Sequence, residues 1–123
     1  MIDDYNIKAL AYLGDAVFEL CVRDYCVKHV NARIGEINKR AKAYSQADGQ
    51  EKMYHYIYDA LSEREKTILK KGRNISGKRK NEKRAHRFAT GLEALFGYLF
   101  INGQTDRINE IFNICAAACG SLK

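Results

Sequence analysis

The chain has 123 residues, 46% of them apolar, with 21 Lys or Arg against 15 Asp or Glu and a net charge of +6. That length suits one domain able to bury roughly two-thirds of its unfolded surface, and the apolar content excludes a disordered chain. No apolar run approaches the roughly 20 residues of a membrane span. The start, Met-Ile-Asp-Asp, lacks the basic-then-apolar pattern of a secretion signal, so a cytoplasmic protein is expected.

There is no proline, and no segment sustains the alternation of a strand. The expected fold is all-α, a single helical bundle over residues 1–123. A first helix is predicted over about Tyr5 to His29. A second is predicted from near Ala32, after Asn31 as cap, to about Ala60; its apolar positions Ile34, Ile37, Ala41 and Tyr44 follow helical spacing. The segment from Tyr54 to Tyr58 alternates, but it lies within helical sequence without turn residues around it and is read as helix. Ser62-Glu63-Arg64-Glu65 fits a capping box. The helix it opens is expected to stop at Gly72, a residue suited to a left-handed turn. Residues 72–82, GRNISGKRKNE, then read as a polar basic loop. A core helix from about Lys83 to Ile101, ending at Asn102-Gly103, and a last helix capped by Thr105 and running to near Gly120 complete the chain.

Two of these helices carry carboxylates inside otherwise apolar sequence. In Ala9–Val22, ALAYLGDAVFELCV, only Gly14, Asp15 and Glu19 interrupt the apolar residues, and in Phe88–Ile101, FATGLEALFGYLFI, Glu93 is the only charge. A buried, unpaired carboxylate costs several kcal/mol as an order of magnitude. Gly14, and Gly91 and Gly97 around Glu93, have no side chains to keep a neighbouring helix away. Close packing of the two helices would bring Asp15 and Glu93 within reach of one hard cation. Magnesium suits oxygen ligands of this kind. Two readings stay open at this point: the acids hold a metal ion, or each pairs with an Arg or a helix N-terminus in the core.

The charge is unevenly spread. Residues 64–87 hold 11 Lys or Arg against 2 Glu, whereas the rest of the chain holds 10 basic and 13 acidic groups. Such a concentration on an otherwise acidic molecule points to a polyanion, with nucleic acid first. The four cysteines, Cys21, Cys26, Cys115 and Cys119, read as thiols and small buried hydrophobes. Cys115 and Cys119 lie one turn apart, but no pair has the spacing of a structural zinc site.

The segments Tyr12–Leu20, YLGDAVFEL, and Thr90–Leu99, TGLEALFGYL, resemble the signature segment and the second acidic helix of the ribonuclease III endonuclease domain. Lys71-Gly72-Arg73-Asn74 and the basic run after it are similar to one branch of that family, Mini-III, whose members consist of the catalytic domain alone. The resemblance covers nearly the whole chain and leaves no room for a double-stranded-RNA-binding domain after it. It implies a homodimeric, all-helical endonuclease that cuts double-stranded RNA with a divalent metal, Mg²⁺ or in its place Mn²⁺. The products expected are 5′-phosphate and 3′-hydroxyl ends. The implied substrate is the precursor of the large-subunit (23S) ribosomal RNA, with a ribosomal protein as a further candidate partner.

By the same resemblance Asp15 and Glu93 are the catalytic, metal-binding acids. Two acids usual in the larger enzymes are replaced here, by Ala11 and by Thr90. Thr90 is a further candidate, to hold a water beside the ion by its hydroxyl, and Glu19 is read either as structural or as touching the ion through a water. No side chain stands out as a general base, so the ion is expected to supply the activated water. Arg73, Asn74, Lys78, Arg79, Lys80, Arg84 and Arg87 are the candidates for contacts to RNA phosphate and 2′-hydroxyl groups. Tyr12, Phe18, Phe96, Tyr98 and Phe100 supply more large apolar surface than two helices need for mutual packing, which suits a dimer. The competing readings are a non-catalytic RNA-binding module on the same fold and a ribosome-assembly factor whose acids are core ion pairs.

Overall fold

The computed structural model describes residues 6–76 and 83–119. Six α-helices and one short 3₁₀ turn make up this part: α1 (Ile7–His29), α2 (Ile34–Ser45), α3 (Ala47–Ile57) with the 3₁₀ turn Tyr58–Ala60, α4 (Glu63–Ser76), α5 (Arg84–Ile101) and α6 (Thr105–Ala118). The all-α expectation holds, and no strand occurs among the described residues. None of these helices is long and apolar enough to cross a membrane.

The middle of the bundle is α5. From Phe88 to Leu99 it buries ten residues on every side, as its nearly uncharged sequence requires. The helices α1, α3, α4 and α6 pack around it. Phe18 of α1 meets Phe96 of α5 edge-to-face, with ring centres 5.3 Å apart, and Phe112 of α6 at 5.9 Å. These rings tie three helices into one core.

Local signals account for three of the helix ends. Asn6 caps α1, its Oδ1 accepting from the Lys8 amide at 2.7 Å. The capping box of α4 forms as read: the Glu65 amide donates to Ser62 Oγ at 3.1 Å and the Ser62 amide to Glu65 Oε1 at 2.9 Å. Glu65 is also gripped by Arg107 of α6, through Nε at 2.9 Å and Nη2 at 2.8 Å. That bidentate pair fastens the start of α4 to α6. After α5, Gly103 takes φ 71°, the left-handed turn that Asn102-Gly103 promised.

Four boundaries differ from the sequence reading. The long second helix is two helices, broken at Gln46, whose φ −72° and ψ 149° are extended. The fold-back is tight because Gly49 has no side chain: a Cβ there would lie 3.0 Å from the carbonyl oxygen of Ala43 and 3.4 Å from that of Tyr44. Asn31 does not cap α2; Arg33 stands at that position, without a side-chain cap bond. Thr105 is the first residue of α6, not its cap. Finally, α4 runs through Gly72 to Ser76. Gly72 serves close approach, since a Cβ on it would lie 2.8 Å from the Gly91 Cα of α5, and that contact keeps it helical. The remaining residues of the predicted loop, 77–82, and the predicted helix ends at Tyr5 and Gly120 lie outside the described residues.

Candidate active site

Two glycines make the site. A Cβ on Gly14 would overlap the carbonyl oxygen of Glu93, and one on Gly97 would overlap that of Leu10. So α1 and α5 cross with backbone against backbone, and the residue after Gly14 is delivered beside Glu93. Gly91 does not share in this crossing. It faces the other way, toward α4 and α3, where a Cβ would lie 2.6 Å from the Leu69 carbonyl oxygen and 3.1 Å from the Tyr54 ring.

The structure thereby brings Asp15 and Glu93 together. Asp15 is exposed and Glu93 half-buried. Burial, then the neighbouring charge of Asp15 within hydrogen-bonding reach, push the Glu93 carboxyl up to about 7. Against these, Gln50 Nε2 donates to Glu93 Oε2 at 3.4 Å, which favours the charged form. Among the described residues no Lys or Arg stands among the causes of the Glu93 shift. The pair fits a hard divalent cation: two adjoining oxygen donors that repel each other, one half-buried and one open to solvent. No group of three or more His, Cys, Asp or Glu gathers among the described residues. An ion held here would complete its shell with waters or substrate oxygens, which is how magnesium is commonly bound.

Glu19 takes the structural role among its readings, and Thr90 bonds within its own helix. Glu19 Oε2 takes Arg23 Nε at 2.8 Å and its Oε1 takes the Ser45 hydroxyl at 2.8 Å, so this acid ties α1 to the end of α2. The Thr90 hydroxyl donates to the His86 carbonyl at 3.0 Å, turned along its own helix.

The basic candidates divide. Arg73 lies where α4 meets α5, on the Gly91 side: its backbone amide nitrogen is 3.2 Å from where a Gly91 Cβ would stand. Its side chain reaches Asn74 Oδ1 at 3.2 Å and, more loosely, the Tyr54 hydroxyl at 3.5 Å. Arg84 pairs with Glu51 at 2.9 Å and lies over the Phe88 ring at 5.2 Å. Arg87 is half-buried, and its Nε is enclosed without a hydrogen-bond partner among the described residues. Lys78, Arg79 and Lys80 lie outside the described residues. Helix α3 joins the two halves: Gln50 touches Glu93, Tyr54 touches Arg73, and Glu51 touches Arg84.

Gln50 is the residue that sequence reasoning missed. It is 3% exposed, among the buried positions Gln50, Met53, Tyr54 and Ile57 of α3. The signal was there, as the one polar residue on an i, i+3, i+4, i+7 apolar stripe. The five aromatics read as surplus also divide. Phe18, Phe96 and Tyr98 are core, whereas Tyr12 and Phe100 are 86% and 52% exposed. Cys26, Cys115 and Cys119 are buried in the core and Cys21 is partly so; burial raises all four thiols, Cys21 to about 11. They are held as thiols, not thiolates.

A helical bundle whose crossing point joins two acids beside a basic segment describes a phosphodiester-cleaving protein, and the comparisons say which. Residues 8–104 match the model of the ribonuclease III domain, so the chain belongs to the ribonuclease III family. Its relatives include several enzymes named Mini-ribonuclease 3. That of Thermoanaerobacter sp. is 38% identical over 85% of this chain and 76% of its own length. That of Symbiobacterium thermophilum is 34% identical over 87% and 85%, and that of Enterococcus faecalis 32% identical over 94% and 91%. The fold is similar to an X-ray crystal structure of a Fusobacterium nucleatum protein, with a TM-score of 0.79 and 34% identity over 92% of this chain and 93% of that one. The chain is thus a ribonuclease of the ribonuclease III type, a family that acts on double-stranded RNA and generally uses a divalent metal.

Proposed function

We propose that this single-domain ribonuclease cuts double-stranded RNA at Asp15 and Glu93 with Mg²⁺, or with Mn²⁺ in its place. The products would be 5′-phosphate and 3′-hydroxyl ends, and precursor 23S ribosomal RNA in the cytoplasm the substrate. The observation that carries this is the Asp15–Glu93 pair, held together by glycine contacts, with no Lys or Arg of the described residues among the causes of the Glu93 shift. A divalent ion bound there would neutralise the two carboxylates and activate water for attack on phosphorus. Glu93, whose second oxygen accepts from Gln50, offers a fixed oxygen. Asp15, at the open side, offers one that can adjust as the phosphate enters.

Arg73 and Asn74 on α4, and Arg84 and Arg87 on α5, would hold the duplex backbone beside the acids, with Lys78, Arg79 and Lys80 extending the contact. Such binding reads duplex shape through phosphates and 2′-hydroxyls. We also propose a homodimer. On α1, Tyr12, Leu20 and Val27 are exposed, and Leu20 and Phe100 line one groove with Ile108 and Phe112 of α6. That is the kind of apolar surface a second copy covers. A ribosomal protein remains a candidate partner of the RNA substrate.

The test is a perfect RNA duplex incubated with protein and Mg²⁺, and in parallel with EDTA. Metal-dependent fragments with 5′-phosphates, absent for Asp15→Asn, support the enzyme; binding without cleavage supports a non-catalytic module instead. Light scattering at micromolar concentration should give twice the chain mass, and a monomeric mass would count against the dimer.

A further inference from the structure

Gln50 is costly where it stands. Its amide is 3% exposed within the apolar face of α3, beside Met53, Tyr54 and Ile57, and a buried amide must be hydrogen-bonded to offset its lost water. The bond recorded for its Nε2 is long, 3.4 Å to Glu93 Oε2, and contributes little to stability at that length. Packing alone would favour Met or Leu at this position.

The elbow at Gln46 determines what the amide reaches. The break reverses the chain so that α3 lies against α5, and Gln50, in the first turn of α3, points at the second of the two acids. Ser45, on the other side of the same break, holds Glu19 at 2.8 Å. The elbow thus touches one acid on α1 and one on α5. Of these two elbow residues, Gln50 is the one that touches the Asp15–Glu93 pair, through Glu93.

We infer that Gln50 is a positioning residue: its Nε2 fixes the Glu93 carboxylate so that one oxygen is held by protein and the other is turned toward Asp15 and the bound ion. The inference rests on the proposed role of Asp15 and Glu93. Nothing in it requires Gln50 to touch RNA, so its loss should act on turnover and on metal affinity, not on duplex binding.

The experiment compares the full-length wild type with Gln50→Met, which keeps volume and removes the donor, and with Gln50→Glu, which keeps shape and exchanges donor for acceptor. Supporting partners of metal ligands typically contribute about 10–100-fold. Gln50→Met should therefore cut kcat on a defined duplex by about 10–100-fold and leave KM within about two-fold. Titration calorimetry with Mn²⁺ in the absence of RNA should show about ten-fold weaker binding. The melting temperature should be unchanged or higher, the mark of a residue kept for function over stability. A variant that folds and keeps the wild-type kcat and Mn²⁺ affinity overturns the inference, as does an equal loss in kcat and melting temperature with Mn²⁺ affinity intact. If Gln50→Met fails to fold, Gln50→Glu carries the same readouts, and wild-type values there overturn the inference equally. A wild type that leaves duplex uncut in Mg²⁺ sinks the proposed activity itself. A wild type that cuts, with Asp15→Asn inactive and Gln50→Met unimpaired, sinks only the role of Gln50.

Discussion

The α1–α5 crossing and the basic side chains at the end of α4 and the start of α5 solve different problems. At the crossing, Gly14 and Gly97 put backbone against backbone, and the acids ride on helices that cannot shift without breaking the core. On the basic stretch, Arg73 and Arg84 extend from helix surfaces and rest on neighbours such as Tyr54, Glu51 and Phe88. A metal ion demands ligand positions good to a few tenths of an ångström. Phosphate attraction tolerates long, rearranging side chains. On the proposed function, glycine contacts would provide the first and arginine stems the second.

The comparison can be broken most severely at the glycines. Gly97→Ala drives a methyl group into the Leu10 carbonyl, and overpacking a helix crossing costs about 3 kcal/mol or more when backbone is what must move. Urea unfolding should show that loss, and cleavage should disappear with it. A stable, active Gly97→Ala would mean the crossing is looser than drawn. Asp15→Asn comes next. The fold and duplex binding should persist while cleavage falls by more than about 100-fold, since a ligand matters more than the partners that support it.

Glu93 gives a pH test of the same site. Its pKa is raised from 4.5 to about 7, so in that window the folded protein holds a proton that the unfolded chain has released. Without divalent metal, stability should therefore fall as pH rises from about 4.5 to about 7 and stay low above. Glu93→Gln should remove that contribution, which urea midpoints across the pH series will show. An unchanged pH profile would place Glu93 in a wetter setting.

The smallest effects belong to the basic side. Arg73→Ala should weaken duplex binding a few-fold and lower the log–log salt slope by roughly one unit, by analogy with DNA, with kcat nearly intact. A loss confined to kcat would move Arg73 from the binding surface to the chemistry.

Much of this molecule was legible because its decisive signals are local. The caps of α4, the all-round apolar α5 and the stop at Asn102-Gly103 are written within a few residues of where they act. Asp15 and Glu93 were visible as charges in sequence that has almost none, and Gly14 and Gly97 as places where helices can approach. Gly72 and Gln46 misled for one physical reason. A glycine is equally at home in a left-handed turn and in a helix pressed against another, and only Gly91 across the gap decides between them. Gln46 carries no breaker of its own; the fold-back of α3 onto α5 and α6 sets the break.

The sequence by itself determined the helical class, the two acidic helices and the chemistry their carboxylates allow, because burial pattern and residue type suffice for those. The tertiary structure alone decided that Glu19 belongs to Ser45 and Arg23, that Gly91 serves α4 rather than the crossing, and that a buried glutamine from a third helix reaches Glu93. Each of those depends on which faces meet across the core: a lone polar residue on an apolar stripe marks Gln50 as unusual, but only the fold names its partner 43 residues away.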